Sequence, residues 1–303
     1  MTIGYGMTNA LLVLLLAPLF EGVMRKITAR VQSRIGPPVL QPYYDLFKLL
    51  GKEDIESGEA PMMQRFAAYL SLAAILTVAM LIPMGGLAPM NAVGDALLLI
   101  YLLMLCGIAT LLAGLAAGST YSLLGMSREM MAMMTLEPLL TVAIVVGAVQ
   151  QKSLRLDEVL AGSVYGCHGG LPLAGIIMLG VLLFSFQAFV GRLPFDTSEA
   201  ETEIMEGPLM EYSGPKLALF KYARMIKLMV YAALFVALFA PWGNDIFYPL
   251  NILILLAKIT VLVLLVTVVA ATHARYRIDQ AMRYYLWLFG ISMVALIVAV
   301  CGW

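Results

Sequence analysis

Charge is scarce in this sequence. Asp, Glu, Lys and Arg make up 13% of its 303 residues and hydrophobic residues 62%, whereas soluble domains carry roughly 25% charged and 45–50% apolar residues. That balance excludes an ordinary water-soluble domain and makes lipid the main solvent. Nineteen basic and nineteen acidic residues cancel, so net charge gives no reason to expect nucleic acid as a partner. Cysteine is also sparse. Cys106, Cys167 and Cys301 show no C-x-x-C spacing and only His168 stands beside Cys167, so no metal or cluster site is read from them and they count as small apolar filler. The first apolar run follows Tyr5-Gly6 with no basic segment before it and no clear small-residue cleavage signature, and is expected to be a retained helix. Internal repeats, low-complexity segments and a soluble domain are absent, so residues 1–303 are expected to form a single membrane domain.

What the sequence does have is long apolar runs. A hydrocarbon core about 30 Å thick takes roughly 20 apolar residues per helix, because backbone groups left unpaired in lipid are costly. Eight runs qualify, at 6–24, 66–84, 93–117, 131–149, 171–190, 223–241, 249–271 and 284–301. The fold class is therefore all-α and polytopic. Sixteen of the nineteen Lys and Arg fall in or beside the loops after odd-numbered runs, about 25–65, 118–130, 191–222 and 272–283. The opposite face holds only Lys152 and Arg155, and Lys258 lies inside the seventh run. Short loops rich in Lys and Arg stay on the cytoplasmic side, so this charged face is expected to be the inner one and both termini to lie outside. Of the opposite connections, only 150–170 has polar content worth noting.

The first charged loop opens with Arg25-Lys26-Ile27-Thr28-Ala29-Arg30-Val31-Gln32-Ser33-Arg34 and reaches Gly36-Pro37. Lys26, Arg30 and Arg34 recur every four residues and are expected to share one helical face until Gly36-Pro37 ends it. Beyond it, Tyr43, Tyr44, Leu46, Phe47, Leu49 and Leu50 alternate with Asp45, Lys48 and Lys52, a pattern suited to a helix lying in the interface. Lipid headgroup binding is the bland reading. The sharper one is a docking platform for a soluble partner, built from Arg25, Lys26, Arg30, Arg34, Asp45 and Lys48.

The third charged loop packs six carboxylates, Asp196, Glu199, Glu201, Glu203, Glu206 and Glu211, into sixteen residues. Carboxylates do little for topology. Clustered like charges raise one another's pKa and can then share and pass protons. Asp196 is expected to cap a helix starting near Thr197, with Glu199 third in a capping box and Glu199, Glu203 and Glu206 along one side. A solvated acidic face is the alternative.

Further ionisable groups fall inside or beside the apolar runs. Glu137 precedes Pro138, whose missing N–H frees a carbonyl one turn earlier, so Glu137 is expected to relay protons or to pair structurally. Arg128 and Glu129 stand where the fourth run begins. Lys258, near the middle of the seventh, should face protein or water, in a proton path or in a structural pair. Glu21 and Asp95 are read as interfacial. No residue here is expected to be catalytic or to bind metal.

The run Arg30-Val31-Gln32-Ser33-Arg34-Ile35-Gly36-Pro37, the eight spans, and the stretch from Pro194-Phe195-Asp196 through Glu199-Ala200-Glu201 to Glu211-Tyr212-Ser213-Gly214 resemble the membrane subunit shared by respiratory complex I and group 4 membrane-bound NiFe hydrogenases. The short Pro37-Pro38-Val39-Leu40-Gln41, Glu206-Gly207-Pro208-Leu209, Ser127-Arg128-Glu129 and Glu137-Pro138 look like the hydrogenase branch, which includes formate hydrogenlyase and energy-converting hydrogenases. The resemblance implies a non-catalytic subunit of an oxidoreductase complex in the cell (cytoplasmic) membrane. Such a subunit anchors the soluble electron-transfer arm and couples hydrogen chemistry to H⁺ or Na⁺ translocation through an acidic loop that begins a proton path. The path would comprise Glu137, Asp196, Glu199, Glu201, Glu203, Glu206, Glu211 and Lys258. Partners would be the hydrogenase large and small subunits, a ferredoxin-like Fe–S subunit and antiporter-like membrane subunits. A NiFe centre and Fe–S clusters would lie in those partners and no cofactor in this chain. Two rival readings are a quinone-site subunit of respiratory complex I and a stand-alone secondary transporter. Against the transporter stand the missing repeat symmetry and the lack of paired interrupted helices.

Overall fold

The computed structural model describes residues 2–55, 60–84, 94–160, 172–242 and 250–302. The stretch around Cys167 and His168 lies outside them, as does the side chain of Glu201. The chain is built from α1 (Thr2–Val31), α2 (Gln41–Leu50), α3 (Pro61–Leu81), α4 (Ala96–Ala117), α5 (Thr120–Gln151), α6 (Leu156–Leu160), α7 (Leu173–Val190), α8 (Glu201–Ile204), α9 (Gly214–Phe239), α10 (Leu250–Thr272) and α11 (Ile278–Val300). Among the described residues there is no β-strand, only an isolated bridge between Asp95 and Arg155. Among the described residues eight helices are long and apolar enough to cross a membrane, namely α1, α3, α4, α5, α7, α9, α10 and α11, which agrees with the eight apolar runs.

The spans are longer on the charged face than the apolar runs alone suggest. At 30 residues, α1 extends about 45 Å and carries Arg25, Lys26 and Arg30 on its last two turns. It ends at Val31, and Ser33 adopts φ +58°, so Arg34 leaves the helix and does not share a face with Lys26 and Arg30 as expected. Likewise α2 stops at Leu50 and Lys52 falls beyond it, off the side shared by Asp45 and Lys48. The second charged loop shrinks to a turn, because α5 begins at Thr120 with the Ser119 hydroxyl accepting from the Ser122 N–H at 3.3 Å. Arg128 and Glu129 are therefore helical.

At the centre stands α9, where Ile226, Leu228, Met229 and Val230 are fully buried, packed on α1, α3, α7 and α10. Between lipid-bathed helices the hydrophobic effect adds little and close packing decides. The α3–α4 pair uses that rule, with Ala67 and Ala68 against Ala113 and Ala117, all buried. Several polar groups inside are satisfied across helices. Gln64 donates to the Ala116 carbonyl at 3.2 Å, Asn9 to Ile82 at 3.1 Å, and the Tyr212 hydroxyl to Ala113 at 3.0 Å. In contrast, α11 exposes Leu286, Trp287, Val294 and Ile297, as a helix on the rim of a bundle does.

Glycine permits two close crossings on the charged face. A Cβ on Gly22 would lie 1.8 Å from the Val39 carbonyl oxygen, so α1 approaches the segment leading into α2 this closely because residue 22 carries no side chain. A Cβ on Gly125 would lie 2.6 Å from Pro208 Cδ, and this contact seats the acidic loop on α5.

Candidate functional site

The acidic loop is held from three sides. Phe195 lies among Tyr276, Tyr284 and Tyr285, with ring centroids 5.1–5.4 Å away, and the Tyr276 N–H donates to the Pro194 carbonyl at 3.0 Å. These contacts tie the loop to the start of α11. Ser122 Oγ donates to the Gly114 carbonyl at 3.0 Å and lies 3.4 Å from that of Pro208, drawing the far end of the loop to α4 and α5.

The expected capping box does not form. The helix in the loop is four residues long with Ala200 before it and no side-chain cap, because the carboxylates meet cations from α5, from α9 and from the connection before α11 instead. Asp196 takes Arg275 at 3.3 Å and Arg224 at 3.9 Å. Glu199 accepts from Arg224. Glu203 accepts from Arg128 at 2.7 Å, and Glu206 is 3.9 Å from Lys221. Arg275 also donates to the Thr202 hydroxyl at 2.9 Å. So Glu199, Glu203 and Glu206 do not line one helical side. Mutual repulsion does not govern Glu203: the hydrogen bond from Arg128 holds its carboxyl below the usual carboxylate range. Glu211 sits half-buried in the turn before α9.

The sequence reading missed a second set of charges. Glu21 is buried within α1 rather than interfacial, and it accepts from Arg192 and from Arg25 at 3.4 Å. Arg25 continues to Asp45 on α2 at 3.0 Å. An acid inside an apolar run was itself the pointer to this set. Lys26, Arg30, Arg34 and Lys48 lie around it, with Arg30, Arg34 and Lys48 exposed. Beside them Ile35, Tyr44 and Phe47 are exposed too, at 91%, 61% and 70%, making a mixed basic and apolar platform.

Two cavities flank the Asp196–Arg224 pair. The larger, about 660 Å³, opens on the charged face and is lined by Glu21, Arg25, Arg34, Arg192, Asp196, Glu206, Lys221, Arg224 and Arg275 among others. The smaller, about 80 Å³, lies beneath the loop and is lined by Glu129, Asp196, Glu199, Arg224 and Lys227 with Ser71, Cys106 and Thr110. Asp196 and Arg224 line both. Glu137 stands about 12 Å further along α5 than Glu129, eight residues at 1.5 Å each.

Lys258 is elsewhere. Its ammonium donates to the carbonyls of Ala240, at 2.7 Å, and Trp242, and lies 5.0 Å from the centre of the Trp242 ring. That is the C-terminal end of α9, whereas the acidic loop leads into the N-terminal end. Among the described residues no group of three His, Cys, Asp or Glu side chains is placed to hold a metal ion.

Comparison with known proteins agrees with the fold. Residues 5–300 match the family described as NADH dehydrogenase. Hydrogenase-4 component C of Escherichia coli K12 is 34% identical over 300 residues, covering 96% of this chain and 93% of that protein. Formate hydrogenlyase subunit 4 of the same organism is 32% identical over 305 residues, covering 98% of each. An NADH-quinone oxidoreductase subunit of Burkholderia vietnamiensis is 32% identical over 289 residues, covering 89% and 81%. A chain of the membrane-bound sulfane sulfur reductase, an archaeal respiratory membrane complex, superposes with a TM-score of 0.83 at 27% identity, covering 97% of this chain and 99% of that one. The chain thus belongs to the NADH dehydrogenase subunit 1-like family, as a multi-pass membrane protein related to the membrane subunits of group 4 hydrogenases and of complex I.

Proposed function

We propose that this chain anchors the soluble arm of a group 4 NiFe hydrogenase to the cytoplasmic membrane and couples its hydrogen chemistry to ion translocation. The observation that carries the reading is Arg224, shared between Asp196 and Glu199 and lining both cavities. A charge change in a docked partner would shift Arg224 between these carboxylates, and either carboxylate released from it can take up a proton. The small cavity then leads to Glu129 and Lys227, and from there along α5 to Glu137. Lys258, fixed at the other end of α9, has no part in this route. The charged face is the inner one by the positive-inside rule, with both termini outside. The NiFe centre and Fe–S clusters reside in partner subunits that rest on the platform around Arg30, Arg34 and Lys48. Antiporter-like subunits adjoin within the membrane.

A quinone site is the weaker reading, because nine charged side chains line the larger cavity and a long apolar tail would have to pass them. In the purified complex, Glu199→Gln is expected to abolish ion uptake by proteoliposomes while hydrogen evolution from an artificial donor persists. Unchanged ion uptake per hydrogen formed would remove the assignment. Purification with a quinone-reducing complex that contains no nickel would replace it with the rival.

A further inference from the structure

A further opening lies on the charged face, between α2 and α9. It encloses about 220 Å³ and is lined by Arg25 of α1, by Asp45, Leu46, Lys48 and Leu49 of α2, by Lys52 just beyond it, and by Lys221 and Met225 of α9. Four of these eight side chains are cationic and one is a carboxylate. Leu46 and Met225 are buried, whereas Lys48 and Lys52 are exposed, so the pocket has an apolar base and a basic edge.

The one acid is already matched. Asp45 accepts from Arg25 and from Gln41, each at 3.0 Å, and Arg25 is further committed to Glu21 at 3.4 Å. Lys221 comes no closer than 3.9 Å to Glu206. Among the described residues the ammonium groups of Lys48 and Lys52 meet no carboxylate. Three cations thus surround one recess with donors to spare, and an anion with an apolar body answers both its edge and its base.

Depth selects lipid over an anion from solution. The Tyr43 hydroxyl of α2 donates to the Leu15 carbonyl of α1, ten residues before Arg25 and so about 15 Å along that helix. Accordingly α2 leans on the membrane-embedded part of α1, as an amphipathic helix in the interface does, and its basic pocket falls at the level of the lipid phosphates. Leu11 and Leu15, one turn apart on α1, are exposed and continue the site into the membrane as an apolar strip.

We propose that this pocket holds the phosphate of an anionic phospholipid, with Lys48, Lys52 and Lys221 as donors and the acyl chains along Leu11 and Leu15. Clustered Lys and Arg at a membrane face attract anionic headgroups, and here the fold fixes three of them around a recess. The inference needs only the multi-pass fold, not the hydrogenase reading, and goes beyond that reading by giving this chain a ligand of its own.

The test takes the protein with whatever subunits accompany it, exchanges it into detergent carrying dioleoylphosphatidylglycerol or dioleoylphosphatidylcholine, washes it, and reads bound lipid by native mass spectrometry. The parent is expected to keep one phosphatidylglycerol per chain and severalfold less phosphatidylcholine. Lys52→Gln with Lys221→Gln should weaken retention of phosphatidylglycerol roughly thirtyfold, the combined attraction of two lysines for anionic lipid. Lys52→Arg with Lys221→Arg should restore it. Arg283→Gln, which removes an exposed cation elsewhere on the same face, should leave it unchanged. Equal retention of the two lipids by the parent, retention untouched by the Gln pair, or an equal loss with Arg283→Gln would each overturn the inference. Inorganic phosphate held in place of any lipid would overturn it too, marking a site for a free anion. If the Gln pair does not assemble, the comparison of the two lipids on the parent decides alone. A complex without nickel or hydrogen evolution would remove the proposed function and leave this site standing.

Discussion

Arg128 and Glu203 are 75 residues apart in sequence and 2.7 Å apart in space. One belongs to α5 and the other to the acidic loop, so the pair reports whether the loop is seated. The Glu203 carboxylate is 48% exposed, and exposed pairs contribute little, about 0.2–1 kcal/mol.

The sign of its pH dependence follows from Arg128. The hydrogen bond from Arg128 lowers the folded-state pKa of Glu203 below the ordinary 4.5, so its stabilisation is complete above that value and is lost as pH falls through the folded-state value. Glu203→Gln should therefore lower thermal stability by less than about 1 kcal/mol at pH 7. The gap between variant and parent should close as pH is taken well below 4.5. A gap that persists unchanged in acid would show that Glu203 contributes by packing rather than by charge.

Glu21 and Arg192 set the opposite case. Their side chains are 6% and 22% exposed, and removing one member of a buried pair leaves the other charge uncompensated. Glu21→Leu should cost about 3 kcal/mol, the lower end of the range for such losses. Adding Arg192→Met should recover much of it, although Arg25 also faces Glu21. Unfolding in mixed micelles at neutral pH measures both. A double variant no more stable than Glu21→Leu would argue against direct pairing.

Gly125 separates seating of the loop from its charge. With 2.6 Å between a Cβ there and Pro208 Cδ, Gly125→Ala must push the loop off α5. Overpacking of this kind typically costs about 1–3 kcal/mol. Protease cleavage between Asp196 and Glu211 should rise, and ion uptake per hydrogen should fall although every carboxylate is present. Cleavage at the parent rate would place the contact outside the seating of the loop.

Much of this arrangement is legible without coordinates. Apolar runs of 18 residues or more have few alternatives in lipid, so the eight spans follow from length alone. The basic stretch Arg25 to Arg34 and the carboxylates of Asp196 to Glu211 stand out because charge is rare elsewhere. Partners are a different matter. Arg128, Arg224 and Arg275 lie on α5, on α9 and before α11, and nothing in their local sequence says that all three converge on one loop. Expecting a capping box from Asp196 and Glu199 failed for the same reason: local helix signals were outweighed by cations brought in by packing. The Glu21 pair was missed because an acid near the end of an apolar run reads as interfacial until the helix is found to continue to Val31.

Lys258 is placed where a cation can serve the structure. From the third turn of α10 its side chain reaches the end of α9, where helix carbonyls have no intrahelical N–H to meet. The ammonium takes those of Ala240 and Trp242 and rests against the indole, so a charge that would be costly in hydrocarbon is snorkelled to a site rich in acceptors. Lys258→Met removes these donors and leaves both carbonyls to find water. The expected loss is about 0.5–1.5 kcal/mol, the net worth of a hydrogen bond whose acceptor can turn to water, seen as earlier thermal unfolding. Ion uptake per hydrogen formed should stay at the parent value in complex that remains folded. Loss of that ratio with stability unchanged would return Lys258 to the proton path and detach it from the capping of α9.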